Sequence, residues 1–231
     1  STIDLAIIKE LFTNLIKLSE ENDCYNDKLD IWRNIVNSIP TYKTNKDGAV
    51  KEWQDDRFED RYYHRHLSHL YPVFPGDEIT SESNNISSFE KAVDLREIGV
   101  QTGWSLVHMA AIYARFERGN DAMQCLNDIA KTCIQKNFFT LHNDWRRMDI
   151  SLEMESSATV QLDALMGYVN AVQEMILYSS EKLIKLLPAL PDNMSKGKID
   201  MWRFVGGSVN MEWDITVSYT HLRAHETLMN L

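Results

Sequence analysis

Three histidines, one arginine and three tyrosines crowd into Tyr62-Tyr63-His64-Arg65-His66-Leu67-Ser68-His69-Leu70-Tyr71-Pro72-Val73-Phe74-Pro75-Gly76. Imidazole and guanidinium offer directional donors and acceptors, and the aromatic rings offer flat apolar surface. Together they suit a ligand rich in hydroxyl groups. The alternative is a structural loop whose histidines cap helices. His66 and His69 lie three residues apart, so a helical turn within the loop puts both on one side. A zinc site needs further ligands at regular spacing, and none is evident. No metal and no cofactor is expected.

Other residues could join this chemistry. Glu52-Trp53 lies a short way upstream, with Glu52 either touching the ligand or ion-paired, since Arg65 can reach Glu52 or Asp55. Trp53 and Trp104 could stack on an apolar ligand face, although a buried core tryptophan is the alternative for each. His64 and Arg65 bind ligand or hold the loop. Asp163, between apolar Leu162 and Ala164, reads on residue type as a helix cap.

The elements that position these residues are mostly helical. Leu5, Ile8, Leu11, Phe12, Leu15 and Leu18 recur at helical spacing behind Thr2 or Asp4 as a cap. A second helix runs through Leu29, Trp32, Ile35, Val36 and Ile39 and stops at Pro40. Residues 41–75 form a long irregular span that includes the turn Asn45-Lys46-Asp47-Gly48. Asp77-Glu78 reads as the acidic first turn of another helix, and Phe89, Val93 and Leu95 carry helix up to Gly99. Thr102-Gly103-Trp104-Ser105 opens a helix bearing Leu106, Met109, Ala110, Tyr113 and Ala114. The next helix spans residues 121–134, with Ala122, Cys125, Leu126 and Ile129 on one face. Residues 137–157 are irregular and hold His142, Asp144, Trp145 and two arginines. A last helix is expected over 160–183, with Leu162, Leu165, Val169, Val172, Met175 and Ile176 inward.

Helices in pairs, joined alternately by short turns and long aromatic-rich loops, suggest a helical toroid whose long loops converge at one mouth. After Leu187-Pro188-Ala189-Leu190-Pro191 the pattern changes to alternating runs over 198–203 and 208–213, which read as paired strands. The pattern therefore reads as mainly α, a partial helical toroid over 1–185, with the start of a small β module over 186–214. Residues 215–231 do not continue the strand pattern. Val217 to Thr227 looks like translated sequencing-adapter read-through from a metagenomic gene, and its histidines are set aside as non-native.

Composition narrows the partners. The chain has 231 residues, 44% of them hydrophobic and 25% charged, with a formal net charge of -10. That acidity argues against a nucleic-acid footprint and an anionic membrane surface. Cys24, Cys125 and Cys133 make no disulfide framework. No apolar run is long enough to span a bilayer. The first residue is Ser1, which reads as a chain cut from something longer. Export therefore stays open between extracellular, periplasmic and cytoplasmic settings, as does the oligomeric state.

The motifs in order resemble glycoside hydrolase family 95, an inverting α-L-fucosidase family with an (α/α)6 catalytic domain. The matching segments are Glu52-Trp53, His64-Arg65-His66-Leu67-Ser68-His69-Leu70, Pro75-Gly76, Thr102-Gly103-Trp104-Ser105, Val160-Gln161-Leu162-Asp163-Ala164-Leu165-Met166-Gly167 and Leu186-Leu187-Pro188-Ala189-Leu190-Pro191. The resemblance covers essentially residues 1 to 214, and it implies a partial (α/α)6 toroid over 1–185 and the start of a C-terminal β-sandwich-like domain over 186–214. The resemblance implies a fucosylated oligosaccharide or glycan as ligand. It implies Asp163 as the catalytic aspartate, and His64, Arg65, His66, His69, Glu52, Trp53 and Trp104 around the sugar. Inverting hydrolysis pairs a carboxylic acid with a base roughly 6.5–9.5 Å away across an attacking water. The family's general-acid glutamate lies upstream of the helix that opens this chain, and so does the asparagine pair that assists its aspartate. This fragment alone is therefore expected to be inactive. The family commonly has Gly-Asn after the aspartate, where this chain has Ala164-Leu165. An α-L-galactosidase of the same frame and a non-catalytic carbohydrate-binding toroid are the alternatives.

Overall fold

The computed structural model describes residues 1–148, 158–180, 183–204 and 206–216. The supposed adapter-derived stretch and the end of the 137–157 loop lie outside them. The chain divides into two compact units, Ser1–Val100 and Gln101–Leu231. Among the described residues the fold is mainly α, six helices followed by short antiparallel strands. No helix among these residues is long and apolar enough to cross a membrane.

The first unit begins with α1, Thr2–Asn22. Its start is fixed by a capping box between Ser1 and Asp4, in which Asp4 Oδ2 accepts from the Ser1 amino group at 3.0 Å and from the Ser1 hydroxyl at 2.7 Å. The cap is therefore Ser1 with Asp4, and Thr2 is free for another task. Buried Thr2 donates its N–H to the Glu52 carbonyl at 2.9 Å and its hydroxyl to the Lys51 carbonyl. Gln54 Nε2 in turn donates to Thr2 Oγ1 at 2.7 Å. The start of α1 thus anchors the segment that carries Glu52 and Trp53. Helix α2, Leu29–Ser38, packs against α1.

Helix α3 spans Ile86–Asp94 and buries Phe89, Ala92 and Val93. The acidic pair Asp77-Glu78 does not begin it; residues 77–85 are turns and bends. Glu78 is occupied elsewhere, accepting from Tyr42 Oη at 2.6 Å and pairing with Lys9 at 2.5 Å. Acidic side chains mark a helix start only when nothing else claims them.

The second unit is built around α4, Gly103–Arg115, which is buried on nearly every side. Thr102 and Ser105 cap it, the Thr102 N–H donating to Ser105 Oγ at 2.7 Å. It packs against α5, Gly119–Thr132, and α6, Leu162–Ile176. Ala122, Cys125, Leu126 and Ile129 form the buried face of α5, as their spacing predicts. Burial among apolar neighbours pushes the Cys125 thiol up to about 12, so it behaves as a core side chain.

Helix α6 departs from its expected face and length. It buries Ala164, Ala171, Met175 and Ile176, and leaves Leu162 and Val169 exposed. Gly167 explains this, because a Cβ there would meet Val107 Cγ2 at 2.7 Å. Close helix packing selects small residues, so Ala164, Gly167 and Ala171 face α4 while larger side chains turn away. The helix ends at Ile176 because the next residues pair as strand: β1, Leu177–Ser179, runs antiparallel to β2, Ile184–Leu186.

The expected strand pair is present as β3, Lys196–Phe204, and β4, Gly207–Asp214, antiparallel with a register shift between Ile199 and Trp202. Ile199, Val209, Met211 and Trp213 form a core with Ile176 and Leu177 at the end of α6. Gly197 lies opposite Trp213 in this ladder, and a Cβ there would sit 2.1 Å from the indole Cζ2. The ring has little room to move, being buried and donating its Nε1–H to the Met194 carbonyl at 2.9 Å. Gly197→Ala is expected to destabilise the chain by about 1–3 kcal/mol through overpacking. Replacing the exposed neighbour Lys198 by Ala should stay within about 0.5 kcal/mol. Urea unfolding followed by near-ultraviolet circular dichroism of the tryptophans distinguishes the two.

Candidate active site

The expected site residues fall into two groups, one in each unit. In the first unit, Glu52 is held at three points. Its carbonyl accepts from Thr2 and its N–H donates to Asp60 Oδ1 at 2.9 Å. Its carboxylate Oε1 accepts from the Ser68 hydroxyl at 3.0 Å. Ser68 belongs to the histidine string, so Glu52 and that string form one structure. Asp55 pairs with Arg57 at 2.5 Å, and Arg65 is half-buried.

The string carries the expected helical turn, a single 3₁₀ turn at Ser68–Leu70. It does not present its histidines together. His64 and His66 are exposed, with ring centroids 5.0 Å apart. The His66 N–H donates to His64 Nδ1 at 3.1 Å, which leaves the outer nitrogen of His64 free to carry the proton. His69 points the other way and is only 2% exposed. Its ring faces Arg96 Nη2, with Nε2 at 3.0 Å and Nδ1 at 3.3 Å. A guanidinium only donates, so the ring nitrogen it bonds is an acceptor. Trp53 is 42% exposed and leans on Phe58 at 5.6 Å between centroids.

Arg96 went unnoticed in the sequence because it follows α3 in an unremarkable Asp-Leu-Arg-Glu run. It is 8% exposed, and its Nη1 donates to the Arg61 carbonyl at 2.7 Å and the His64 carbonyl at 3.4 Å. Burial pulls the guanidinium below its ordinary value, while the negative charges of Glu52 and Asp60 act in the opposite direction.

In the second unit, the starts of α4 and α6 lie side by side. The Trp104 N–H donates to Gln161 Oε1 at 2.7 Å, and the Gly103 N–H donates to the His142 carbonyl at 3.0 Å. Gln161 is held by Thr140, its N–H reaching the Thr140 carbonyl at 2.8 Å while the Thr140 hydroxyl donates to the Gln161 carbonyl. Gly103 must be glycine, because a Cβ would stand 2.9 Å from both Gln161 Oε1 and the Leu141 carbonyl. Two motifs far apart in the chain are therefore joined through one amide side chain. Gln161 also escaped the sequence reading, where a glutamine beside an aspartate carries no separate signal.

Asp163 is exposed in the first turn of α6, and its Oδ1 accepts the Ala164 N–H at 3.0 Å. Open N–H groups at a helix start favour a carboxylate there. Trp104 is 38% exposed and stacks on His108 at 5.6 Å. Its ring edge lies 3.5 Å from where a Cβ on Gly167 would stand. Residues 163 and 167 share one face of α6, so Trp104 packs along the face that carries Asp163. Among the described residues no three His, Cys, Asp or Glu side chains gather as metal ligands.

The model of the glycosyl hydrolase family 95 catalytic domain matches residues 1–176. Alpha-L-fucosidase 2 of Arabidopsis thaliana is 33% identical over 92% of this chain and 25% of its own length. Probable alpha-fucosidase A of Aspergillus oryzae is 28% identical over 72% of the chain and 25% of its own length. Its counterpart in Aspergillus niger is 26% identical over 72% and 22%. The chain thus spans about a quarter of the length of the curated relatives it matches.

Proposed function

This chain belongs to glycosyl hydrolase family 95, in its catalytic domain, and on that premise we propose that it is the C-terminal part of the catalytic domain of an inverting α-L-fucosidase acting on fucosylated glycans, with the first strands of the β domain that follows it. Asp163 is the base that takes a proton from the attacking water. Its exposed place at a helix start leaves the second carboxylate oxygen accessible. A general acid from an upstream segment protonates the leaving oxygen. The water's oxygen attacks the anomeric carbon as the glycosidic bond breaks, and the sugar leaves with inverted configuration.

The other residues bind. His64 and His66 offer exposed ring nitrogens to sugar hydroxyls, and Glu52 offers an acceptor fixed by Ser68. Trp53 beside Glu52, and Trp104 beside the helix of Asp163, each expose part of an indole suited to the apolar face of a sugar. His69 supports the loop through Arg96, and Arg65 binds the sugar or holds the loop. The observation that carries this reading is the joining of the Thr-Gly-Trp-Ser and Gln-Leu-Asp motifs by Gln161.

The test is hydrolysis of an aryl α-L-fucoside by the longer polypeptide that contains this chain, followed by proton NMR in the first minutes. β-L-Fucose is expected as the first product. Appearance of α-L-fucose first would overturn the inverting assignment. Preference for the α-L-galactoside would move the specificity within the same frame, and binding without turnover would leave a carbohydrate-binding toroid.

A further inference from the structure

Residues 96 and 97 hold three carbonyls of the segment that leads into the histidine string. Arg96 Nη1 takes those of Arg61 and His64, and the Glu97 N–H takes that of Tyr62 at 3.4 Å. Arg96 Nη2 holds the ring of His69 on the far side of the same loop. One buried guanidinium therefore spans the loop from its entry to its 3₁₀ turn. Its Nε–H is buried without a hydrogen-bond partner among the described residues. Within the same unit, Glu52 and Asp60 supply the negative charge that makes a buried cation tolerable.

We propose that Arg96 is the positioning residue of the sugar-binding loop: by fixing the backbone at residues 61–64 and the His69 ring, it sets where His64 and His66 stand relative to Glu52. This rests on the fucosidase reading above for its consequence, though not for its geometry. A planar fork with five donors can hold two carbonyls and a ring nitrogen at once. A lysine brings the charge on a flexible stem and can hold only part of that set. A methionine fills comparable space and holds none of it.

Arg96→Lys and Arg96→Met separate these roles. Hydrogen exchange on the 231-residue chain reads the geometry. Amides of residues 61–70 should exchange at least about tenfold faster in Arg96→Met and by a smaller factor in Arg96→Lys, with α5 unchanged as the internal control. Kinetics on the longer polypeptide read the consequence. A displaced binding loop raises KM by about tenfold or more with kcat within about threefold, because sugar contacts made equally in ground and transition states are lost. General loss of folded enzyme would instead lower kcat at constant KM. Wild-type exchange and wild-type KM in both variants would overturn the proposal, as would a fall in kcat alone. If Arg96→Met fails to fold, Arg96→Lys carries both readouts. If the unsubstituted protein cleaves no fucoside while exchange at 61–70 rises in the variants, the fucosidase reading fails and the positioning role stands.

Discussion

Asp163→Asn in the longer polypeptide is expected to lower kcat by at least about 10²-fold, the usual contribution of a single general base. The substitution is chosen for what it preserves. Asparagine keeps the shape and an amide oxygen that can still accept the Ala164 N–H, and it is well suited to a helix start. Stability should therefore change little while the proton acceptor disappears. KM should hold near its original value, since the carboxylate acts on water and not on the sugar hydroxyls. The measurement is steady-state hydrolysis of an aryl α-L-fucoside beside a thermal melt of the same variant. Near-parental turnover would make Asp163 a helix-end residue only, and the base would then be sought at Glu52.

The second expected result is a loss so large that nothing is measured. The 231-residue chain on its own should show no turnover of an α-L-fucoside. In the proposed mechanism it supplies the base while the acid and the residues that orient the water come from elsewhere. Removing a general acid costs about 10²–10⁴-fold, and removing the water-orienting groups costs more on top of it. Binding contacts alone do not restore proton transfer to the leaving oxygen. Hydrolysis of a fucoside with a poor leaving group, which depends most on the acid, gives the sharpest reading. Measurable turnover would place the acid within these residues, and Glu52, half-buried beside Ser68, would be the first to replace.

Helices α4 and α5 were legible because their periodic apolar residues are also the buried ones, whereas on α1 the same spacing leaves Ile8, Leu11 and Leu18 exposed. Turn residues and caps fixed the ends, as at Thr102 and Ser105. The sequence misled where size and burial parted. On α6 the large residues looked like the core, yet the face against α4 is made of Ala164, Gly167 and Ala171. Helix-length patterns also do not reveal a strand partner, and Leu177 to Ser179 left the helix because Ile184 to Leu186 could pair with it. At the candidate site, residue types identified the histidine string but not which histidines face solvent. That depends on a long-range partner, Arg96, whose own neighbourhood in sequence carries no motif. Gln161 is the parallel case, since its role comes from a hydrogen bond across 57 positions of chain.

The outward stripe of α6, Leu162, Met166 and Val169, is 59–68% exposed. It also sets how the chain behaves as a colloid. A formal net charge of -10 keeps copies apart when counter-ions are few. Added salt shortens the reach of that repulsion from about 30 Å at 0.01 M to about 3 Å at 1 M, while the attraction between apolar stripes is undiminished. Dilute buffer well above the isoelectric point is therefore the condition expected to disperse this chain, and concentrated salt the condition expected to gather it, a contrast that light scattering across a salt series reads directly.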